Sequence, residues 1–232
     1  MPSFEDVVEG EIGERPTSTG QAYINWPMNE HFALGMILKR YIEREIDGRF
    51  TMNRYDGGAI AQAVSECSGD HLEIGSLYGG SAILAALTKK LVGQSGMVYS
   101  IDAWEFYEDQ TVLGGDKYPS RDLARWNAKQ LGVADRIMFY QQTHPPLPKE
   151  LEDKRFDTAF IDANHMYDGA LADWNNLRGR VNKYILFHDI LVLKYHEADV
   201  GKVFRDAAKL PEWEAVYCLP KMGVLRRVED EE

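Results

Sequence analysis

Short apolar segments alternate with longer helical segments through the last two-thirds of the chain, and this alternation most restricts the fold. Five segments have the length and apolar content of buried strands: HLEIG, GMVYSID, RIMFYQQ, FDTAFIDA and KYILFHDI. Segments of about 10 to 15 residues with helical periodicity separate most of them. Strands joined through helices are typical of a parallel, doubly wound α/β sheet.

The C-terminal part of the chain has a different pattern. After a predicted helix at DVGKVFRDAAKL, the segments WEAVYCL and MGVLRRV are predicted strands with only PK between them. Because no helix separates these two strands, they must pair antiparallel, as a hairpin at one sheet edge. The sequence therefore predicts a Rossmann-like α/β fold with a doubly wound, mostly parallel seven-stranded sheet and an antiparallel C-terminal hairpin.

The N-terminal part is predicted to be an arm followed by helices. Residues 1–28 are polar and rich in Gly, Pro, Ser and Thr, and a loop, DGRFTMNRYDG, separates a helix that starts near Asn29 from a short one at GAIAQAVSEC. We predict an arm and helical extension at residues 1–54 and a Rossmann-like domain at residues 55–232. In the first helix, helical periodicity places these apolar side chains on one face: Phe32, Leu34, Ile37, Leu38, Tyr41, Ile42 and Ile46.

Composition and charge restrict the partners. The chain has 232 residues and a formal net charge of −11, so it lacks the positive charge that drives nucleic-acid binding. Cys67 and Cys218 have no CxxC spacing, which predicts reduced core thiols in a cytoplasmic protein. No apolar run approaches the roughly 18 residues of a membrane span, and the N-terminus is acidic and polar. We expect a small-molecule substrate, with no nucleic acid or membrane as partner, and leave open a homo-oligomer.

The first predicted strand ends in a glycine-rich turn, HLEIGSLYGGSA. Its spacing, G-x-x-x-G-G, differs from the GxGxxG dinucleotide fingerprint. Two interpretations are open: a tight turn needed for packing alone, or a loop that a ligand approaches closely before a helix N-terminus. The next strand ends in SIDAW, where Asp102 is placed to accept hydrogen bonds from a ribose diol or to cap the strand end.

The segment LEIGSLYGGSA followed by YSIDAW resembles class I S-adenosylmethionine-dependent methyltransferases. The resemblance implies S-adenosylmethionine as cofactor and Asp102 as the acid that holds its ribose. Trp104 is expected to pack on the adenine or in the core, and Gln141 or Gln142 to lie near the adenine. The loop under the amino-acid part of the cofactor would consist of Glu73, Gly75, Ser76, Gly79, Gly80 and Ser81.

A second group of polar residues follows the fourth and fifth predicted strands. FIDANH carries Asp162 and His165, and FHD carries His188 and Asp189. Adjacent strand ends lie about 5 Å apart, so these side chains converge beside the glycine turn if the two strands are neighbours. Two carboxylates and an imidazole suit magnesium, calcium or manganese, and a nearby imidazole suits a general base. The alternative is that the aspartates cap helices and His165 is solvated.

FDTAFIDANHMYDGALADW with the later FHD is similar to macrocin-type sugar O-methyltransferases and cephalosporin-hydroxylase-like proteins. The resemblance implies Asp162 and Asp189 as ligands of Mg²⁺ and His165 as the base. His188 stands where those relatives often carry an acid, and we assign it as a third ligand. Asp162 is also expected to contact the cofactor.

The expected function is S-adenosylmethionine-dependent O-methylation of a hydroxylated small molecule, such as a sugar or natural product, and assistance from the metal is left open. One alternative is an NAD-dependent oxidoreductase, which the absence of GxGxxG disfavours. The other is a non-catalytic binding module that keeps the fold. The presence of Asp102 and His165 disfavours that module, because a degenerate enzyme is expected to lose them.

Overall fold

The computed structural model describes residues 23–24, 26–104, 118–190, 199–219 and 221–228. The arm predicted at residues 1–28 therefore lies largely outside the described residues. The described strands are β1 (Tyr23–Ile24), β2 (His71–Ile74), β3 (Val98–Asp102), β4 (Ile137–Gln141), β5 (Phe156–Ile161), β6 (Val181–His188), β7 (Trp213–Cys218) and β8 (Met222–Arg227). The described helices are α1 (Glu30–Glu45), α2 (Arg54–Ser65), α3 (Gly80–Leu91), α4 (Arg121–Gln130), α5 (Tyr167–Leu177) and α6 (Asp199–Ala207).

The eight described strands belong to one sheet in the order β1-β7-β8-β6-β5-β2-β3-β4. The five strands β6, β5, β2, β3 and β4 run parallel, whereas β8 pairs antiparallel with β6 and β7 pairs antiparallel with β8. The predicted Rossmann-like fold, with seven strands and a C-terminal hairpin, is confirmed. The two-residue strand β1, which pairs antiparallel with β7, is an addition that the sequence did not indicate.

The sheet is buried on both faces, as a doubly wound arrangement requires. Successive residues of a strand point to opposite faces. Phe160 and Leu186 accordingly belong to one buried cluster and Ile161 and Phe187 to the other. The first cluster also contains side chains of α1 to α4, and the second contains side chains of α5 and α6. No helix among the described residues combines the length and apolar character needed to cross a membrane.

The N-terminal helix α1 packs on α2 and shares the first cluster through Phe32, Leu38 and Ile42. The prediction that Ile37 and Tyr41 lie on the same face was wrong, because they are 66% and 48% exposed. At about 100° per residue both project away from the buried stripe. The domain boundary after residue 54 stays a prediction.

Helix α2 begins earlier than the sequence indicated, so the predicted loop DGRFTMNRYDG is shorter. The Asn53 side chain accepts hydrogen bonds from the backbone N–H groups of Tyr55 and Asp56, and the Asp56 side chain accepts one from the Asn53 N–H. This reciprocal capping box stabilises a first turn that contains Asp-Gly-Gly, which otherwise favours a turn. Asp56 thereby becomes a helical residue whose side chain is buried.

The order of the strands determines where a ligand binds. From β2 the chain proceeds outward through β3 and β4, then returns to β5 on the other side of β2. Loops leaving β2 and its neighbours therefore diverge, which opens a crevice at the carboxyl ends of the strands. The fourth and fifth strands predicted from the sequence correspond to β5 and β6, which pair directly, so the condition for convergence of their polar residues is met. All the polar residues singled out in the sequence lie along or near this edge.

Candidate active site

The glycine turn after β2 passes close to the end of β5. Gly75 has φ +95°, and a Cβ atom there would lie 2.1 Å from the backbone oxygen of Asp162. A side chain is therefore excluded both by the backbone conformation and by the close approach of the β5 loop. Gly79, with φ +83°, precedes the first residue of α3, Gly80. The turn delivers the chain directly to a helix N-terminus, an environment that favours anionic groups.

Asp102, at the end of β3, holds the glycine turn through its side chain. Oδ2 accepts hydrogen bonds from the backbone N–H groups of Ser76 (2.8 Å) and Leu77 (2.9 Å), and Oδ1 accepts one from Trp104 N–H (2.8 Å). The Trp104 indole donates in turn to the Leu77 carbonyl at 2.8 Å and packs edge-on against Phe139. The carboxylate oxygens retain acceptor capacity for a further partner.

Glu73 lies in the middle of β2 and is fully buried. Burial raises its pKa to about 8, against the hydrogen bonds with Ser81 and Ser100 that favour ionisation. The Ser100 hydroxyl donates to Oε1 at 2.9 Å, while Oε2 has no hydrogen-bond partner among the described residues. The carboxyl group is therefore buried in the protein and is not exposed along the glycine turn.

Two cavities meet above this turn, and Gly75 and Ala163 line both. The first, of about 320 Å³, is lined by the predicted loop residues Gly75, Ser76, Gly80 and Ser81 together with Asp162, His165, His188 and Asp189. The second, of about 450 Å³, is lined by the predicted residues Asp102 and Gln142 together with Ile101, Thr143, His144 and Asn164. Both volumes are in the range of roughly 300–1,000 Å³ usual for small-molecule sites.

Four of the predicted residues are not part of this lining. Glu73, Gly79, Trp104 and Gln141 line neither of the two cavities. Gln141 is exposed, and its Nε2 lies 3.4 Å from the Ala103 carbonyl. Gly79 is part of the glycine turn itself, and the Trp104 indole is hydrogen-bonded to this turn at Leu77. Roles for these residues in ligand contact stay predictions.

The acidic and histidine residues after β5 and β6 come together at the edge of the first cavity. His188 Nδ1 lies 3.2 Å from Asp162 Oδ1 and 3.4 Å from Asp189 Oδ2. His165 Nε2 lies 3.3 Å from Asp162 Oδ1 and 3.7 Å from Asp189 Oδ2. Asp189 adopts φ +51°, which turns the chain immediately after β6. The arrangement arises from the pairing of β5 with β6, as the sequence predicted.

In this cluster the carboxylates and the imidazoles stabilise each other's charged forms. Burial alone would raise the pKa of Asp162, but the His188 charge and the hydrogen bond from His165 lower it to about 2. The hydrogen bond with Asp162 raises the pKa of His165 above its ordinary value. Burial would lower the pKa of His188, yet the attraction of the Asp162 charge raises it strongly. Asp162 therefore remains ionised at neutral pH.

Asp56 is a member of this site that the sequence did not indicate. Its Oδ2 lies 3.2 Å from His188 Nε2, on the opposite side of the ring from Asp162 and Asp189, and its side chain is buried. The sequence predicts a loop at Asp56, and nothing in a predicted loop indicates that an aspartate side chain is buried. The indication available was Asn53 three residues before it, which forms the capping box.

The predicted metal ligands have a geometry that suits a divalent cation. One ligand atom from each of Asp162, His188 and Asp189 lies within 4.8 Å of the others. His188 Nδ1 is buried and makes no hydrogen bond with any residue that the structure describes, although two carboxylate oxygens lie near it. Two ionisable carboxylates and one imidazole nitrogen form a donor set that magnesium or manganese accepts. The residues present therefore fit the ion.

Comparisons with known proteins agree with this geometry. The sequence model of a family described as a methyltransferase domain matches residues 72–190, which include the glycine turn, Asp102 and the acidic cluster. This matched segment is just over half of the chain. No curated protein matches the sequence.

Solved structures share the fold at low sequence identity. An O-methyltransferase from Bacillus cereus, in complex with SAH, is 16% identical, with a TM-score of 0.58 over 88% of this chain and 92% of that one. Cofactor-bound Rv0187 from MTB is 17% identical, with a TM-score of 0.59 over 99% and 100%. The O-methyltransferase TomG from Streptomyces achromogenes, in complex with SAM, is 14% identical, with a TM-score of 0.51 over 88% and 92%.

Proposed function

The chain belongs to the methyltransferase-domain family, and we propose that it transfers a methyl group from S-adenosylmethionine to an oxygen of a hydroxylated small molecule. One observation carries the proposal. The two cavities share Gly75; the smaller one is lined by the glycine turn together with the acid–histidine cluster, and the larger one by the acidic end of β3. An elongated nucleoside cofactor spans such a crevice and presents its reactive centre to the cluster.

The cofactor is assigned to the two cavities by their chemistry. Its adenosine part occupies the larger cavity, where Asp102 accepts from the ribose hydroxyls and Gln142 lies near the base. Its methionine part follows the glycine turn into the smaller cavity, over Gly75, Ser76 and Gly80. The N-terminus of α3 favours its carboxylate. The SAH- and SAM-bound O-methyltransferases of the same fold support this choice of cofactor.

His165 is the proposed base. Its Nε2 faces the ionised Asp162, which accepts a hydrogen bond from it. The neutral ring therefore carries its proton on Nε2, and the lone pair of Nδ1 is the one that can accept a proton. The side chain is 51% exposed and lines the smaller cavity. Asp162 orients the imidazole and stabilises the imidazolium that forms, as a carboxylate does in an acid–histidine pair.

The reaction is a single in-line displacement. The acceptor hydroxyl gives its proton to His165 Nδ1 while its oxygen attacks the methyl carbon of the sulfonium. The new O–CH₃ bond forms as the S–CH₃ bond breaks, and the sulfur leaves as the neutral thioether of SAH. The protein contributes proximity, orientation and proton removal.

Asp162, Asp189 and His188 Nδ1 would hold a divalent ion beside this base. A bound Mg²⁺ lowers the pKa of a coordinated hydroxyl, which makes the acceptor easier to deprotonate. We propose magnesium or manganese, because the set is rich in oxygen and contains no thiolate.

The acceptor is proposed to be a small molecule with a hydroxyl group, such as a sugar or a natural product. The smaller cavity, at about 320 Å³, is lined by Arg49, Phe50, Thr51 and Met52 in addition to the catalytic cluster. This mixture of one apolar wall and a few polar groups is typical of small-molecule sites. The formal net charge of −11 disfavours a nucleic-acid acceptor.

A transfer assay tests the proposal. The protein is incubated with Mg²⁺ and S-adenosylmethionine labelled in its methyl group, against a panel of phenols, sugars and glycosides. Each compound is paired with an analogue that lacks the hydroxyl. We expect label transfer and SAH formation with some hydroxyl compounds and none with their paired analogues. Absence of transfer across the panel, together with hydride transfer from NADH to the same compounds, would contradict it.

A further inference from the structure

Asp56 and His188 form a buried pair that joins the N-terminal helices to the catalytic cluster. Asp56 is fully buried and His188 is 3% exposed, and their closest atoms, Oδ2 and Nε2, are 3.2 Å apart. Asp56 lies in the first turn of α2, whereas His188 is the last residue of β6. The contact therefore connects two elements separated by 132 positions in the sequence.

The direction of this hydrogen bond determines how the imidazole is used. A carboxylate oxygen accepts, so the shared proton resides on His188 Nε2. The other ring nitrogen, Nδ1, is then the atom that faces Asp162 and Asp189, at 3.2 Å and 3.4 Å. A ring rotated by half a turn about its Cβ–Cγ bond would lose both relationships.

We propose that Asp56 is a positioning residue for the active site: it holds the His188 ring with Nε2 protonated and Nδ1 directed at Asp162 and Asp189. The part of this inference that concerns a metal rests on the proposed function. A carboxylate on the far nitrogen of a ligating histidine fixes the ring and strengthens the ligand. Helix α2, which precedes the matched family segment, therefore completes the site.

A purely structural role for Asp56 does not account for its surroundings. The same Oδ2 accepts the Asn53 N–H at 3.0 Å and closes the capping box. Capping requires only an acceptor at the helix terminus, and such acceptors normally remain solvated. Burying a carboxylate is costly unless an opposing group compensates it. Among the described residues, Oδ1 makes no hydrogen bond, so His188 is the compensating group that the geometry supplies.

Three variants separate the two roles. Asp56→Asn keeps the size of the side chain and an acceptor for the helix cap but removes the charge beside His188, and Asp56→Ala removes the acceptor as well. Asn53→Ala removes the cap acceptor, on which Tyr55 N–H and Asp56 N–H depend, and leaves the Asp56–His188 contact in place. Thermal unfolding of the full chain establishes that each variant folds.

The first measurement needs neither metal nor cofactor. Nitrogen-15 NMR of protein labelled at histidine identifies which ring nitrogen of His188 holds a solvent-protected proton, with His188→Gln used to assign the signal. We expect a protected Nε2 proton in the wild type and in Asn53→Ala, and its loss in Asp56→Ala, which leaves no acceptor beside Nε2. A wild type without a protected Nε2 proton, or an unchanged proton in Asp56→Ala, would overturn the proposal.

The second measurement is calorimetric titration with Mn²⁺. We expect Asp56→Asn to bind Mn²⁺ about 10- to 100-fold more weakly than the wild type, the usual effect of removing such a partner. Asn53→Ala should stay within about twofold of the wild type. Equal affinities for Asp56→Asn and the wild type would contradict the inference. If the wild type binds no Mn²⁺, the metal in the proposed function fails, and the NMR result alone decides the role of Asp56.

Discussion

The backbone N–H of Ser76 donates a hydrogen bond to Asp102 Oδ2 over 2.8 Å, which joins the turn after β2 to the end of β3. The same oxygen accepts from Leu77, so one side chain holds two consecutive amides of the glycine turn. Asp102 also lines the larger cavity. The acid proposed to hold the ribose therefore also shapes the loop proposed to run under the methionine part.

Replacement of Asp102 tests this double role. Asp102→Ala removes the acceptor for the Ser76 and Leu77 amides, and we expect destabilisation of about 1–3 kcal/mol from the unpaired amides. Binding of S-adenosylmethionine should fall by at least about tenfold, because both the ribose contact and the loop are affected. Calorimetric titration and chemical denaturation measure the two effects. Loss of stability with unchanged affinity would limit Asp102 to a structural role.

Gly75 and Gly93 form a matched pair for testing the glycine turn. Both have positive φ, but a Cβ atom on Gly75 would meet the Asp162 carbonyl at 2.1 Å, while one on Gly93 would meet nothing within 4 Å. Gly93→Ala should cost only the backbone penalty of about 1–2 kcal/mol and keep cofactor binding. Gly75→Ala should cost more and abolish binding, because the turn and the β5 loop must move apart. Similar behaviour of the two variants would contradict the close approach.

Glu73 predicts a specific dependence of stability on pH. Its pKa is raised from 4.5 to about 8 in the folded state, so the folded protein binds a proton that the unfolded chain has released. The free energy of unfolding contributed by this group is therefore lost as the pH rises from about 4.5 to about 8, by up to about 1.4 kcal/mol per pH unit. Glu73→Gln, which cannot ionise, should gain stability relative to the wild type across that window.

Denaturation curves at several pH values measure this difference. Glu45→Gln, on the exposed last turn of α1, is the control and should follow the wild type at every pH. A constant difference between Glu73→Gln and the wild type from about pH 5 to about pH 8 would show that the buried carboxyl does not change its charge there.

His165 is predicted to act in catalysis and not in cofactor binding. His165→Gln should lower kcat by about 10²- to 10⁴-fold, the usual contribution of a general base, with the affinity for S-adenosylmethionine unchanged. His31→Gln is a matched control, because His31 lines neither cavity. Radiolabel transfer and calorimetry provide the two quantities. An equal loss of cofactor affinity and of kcat would assign His165 to binding instead.

The sequence predicted the parallel sheet and the acidic cluster for one physical reason. Buried strands between helices require the doubly wound arrangement, and this arrangement places the ends of β5 and β6 side by side. Asp162 and His188 therefore converge although 26 positions separate them in the chain. The local segments FIDANH and FHD do not by themselves reveal that Asp162 and His188 are in contact.

The residues that the sequence did not predict depend on tertiary packing. Asp56 precedes two glycines, so its segment resembles a turn, and only the capping box with Asn53 makes it helical. The exposure of Ile37 and Tyr41 depends on which side of α1 meets α2, where Gly35 allows the backbones to approach. The burial of Glu73 follows from α3, which packs on this face of the sheet and places Ser81 against the carboxyl group. For Ile37 and Tyr41 the helical periodicity is consistent with exposure, whereas no periodicity indicates the burial of Asp56 or Glu73.

Calorimetric titration of the full-length protein with S-adenosylmethionine, in the presence and absence of Mg²⁺, tests the central claim most directly. We predict binding at one site with a micromolar Kd, and no comparable binding of NAD. The crevice described above would then be the cofactor site. Absence of S-adenosylmethionine binding under both conditions, by a protein that is folded by circular dichroism, would contradict the proposed function.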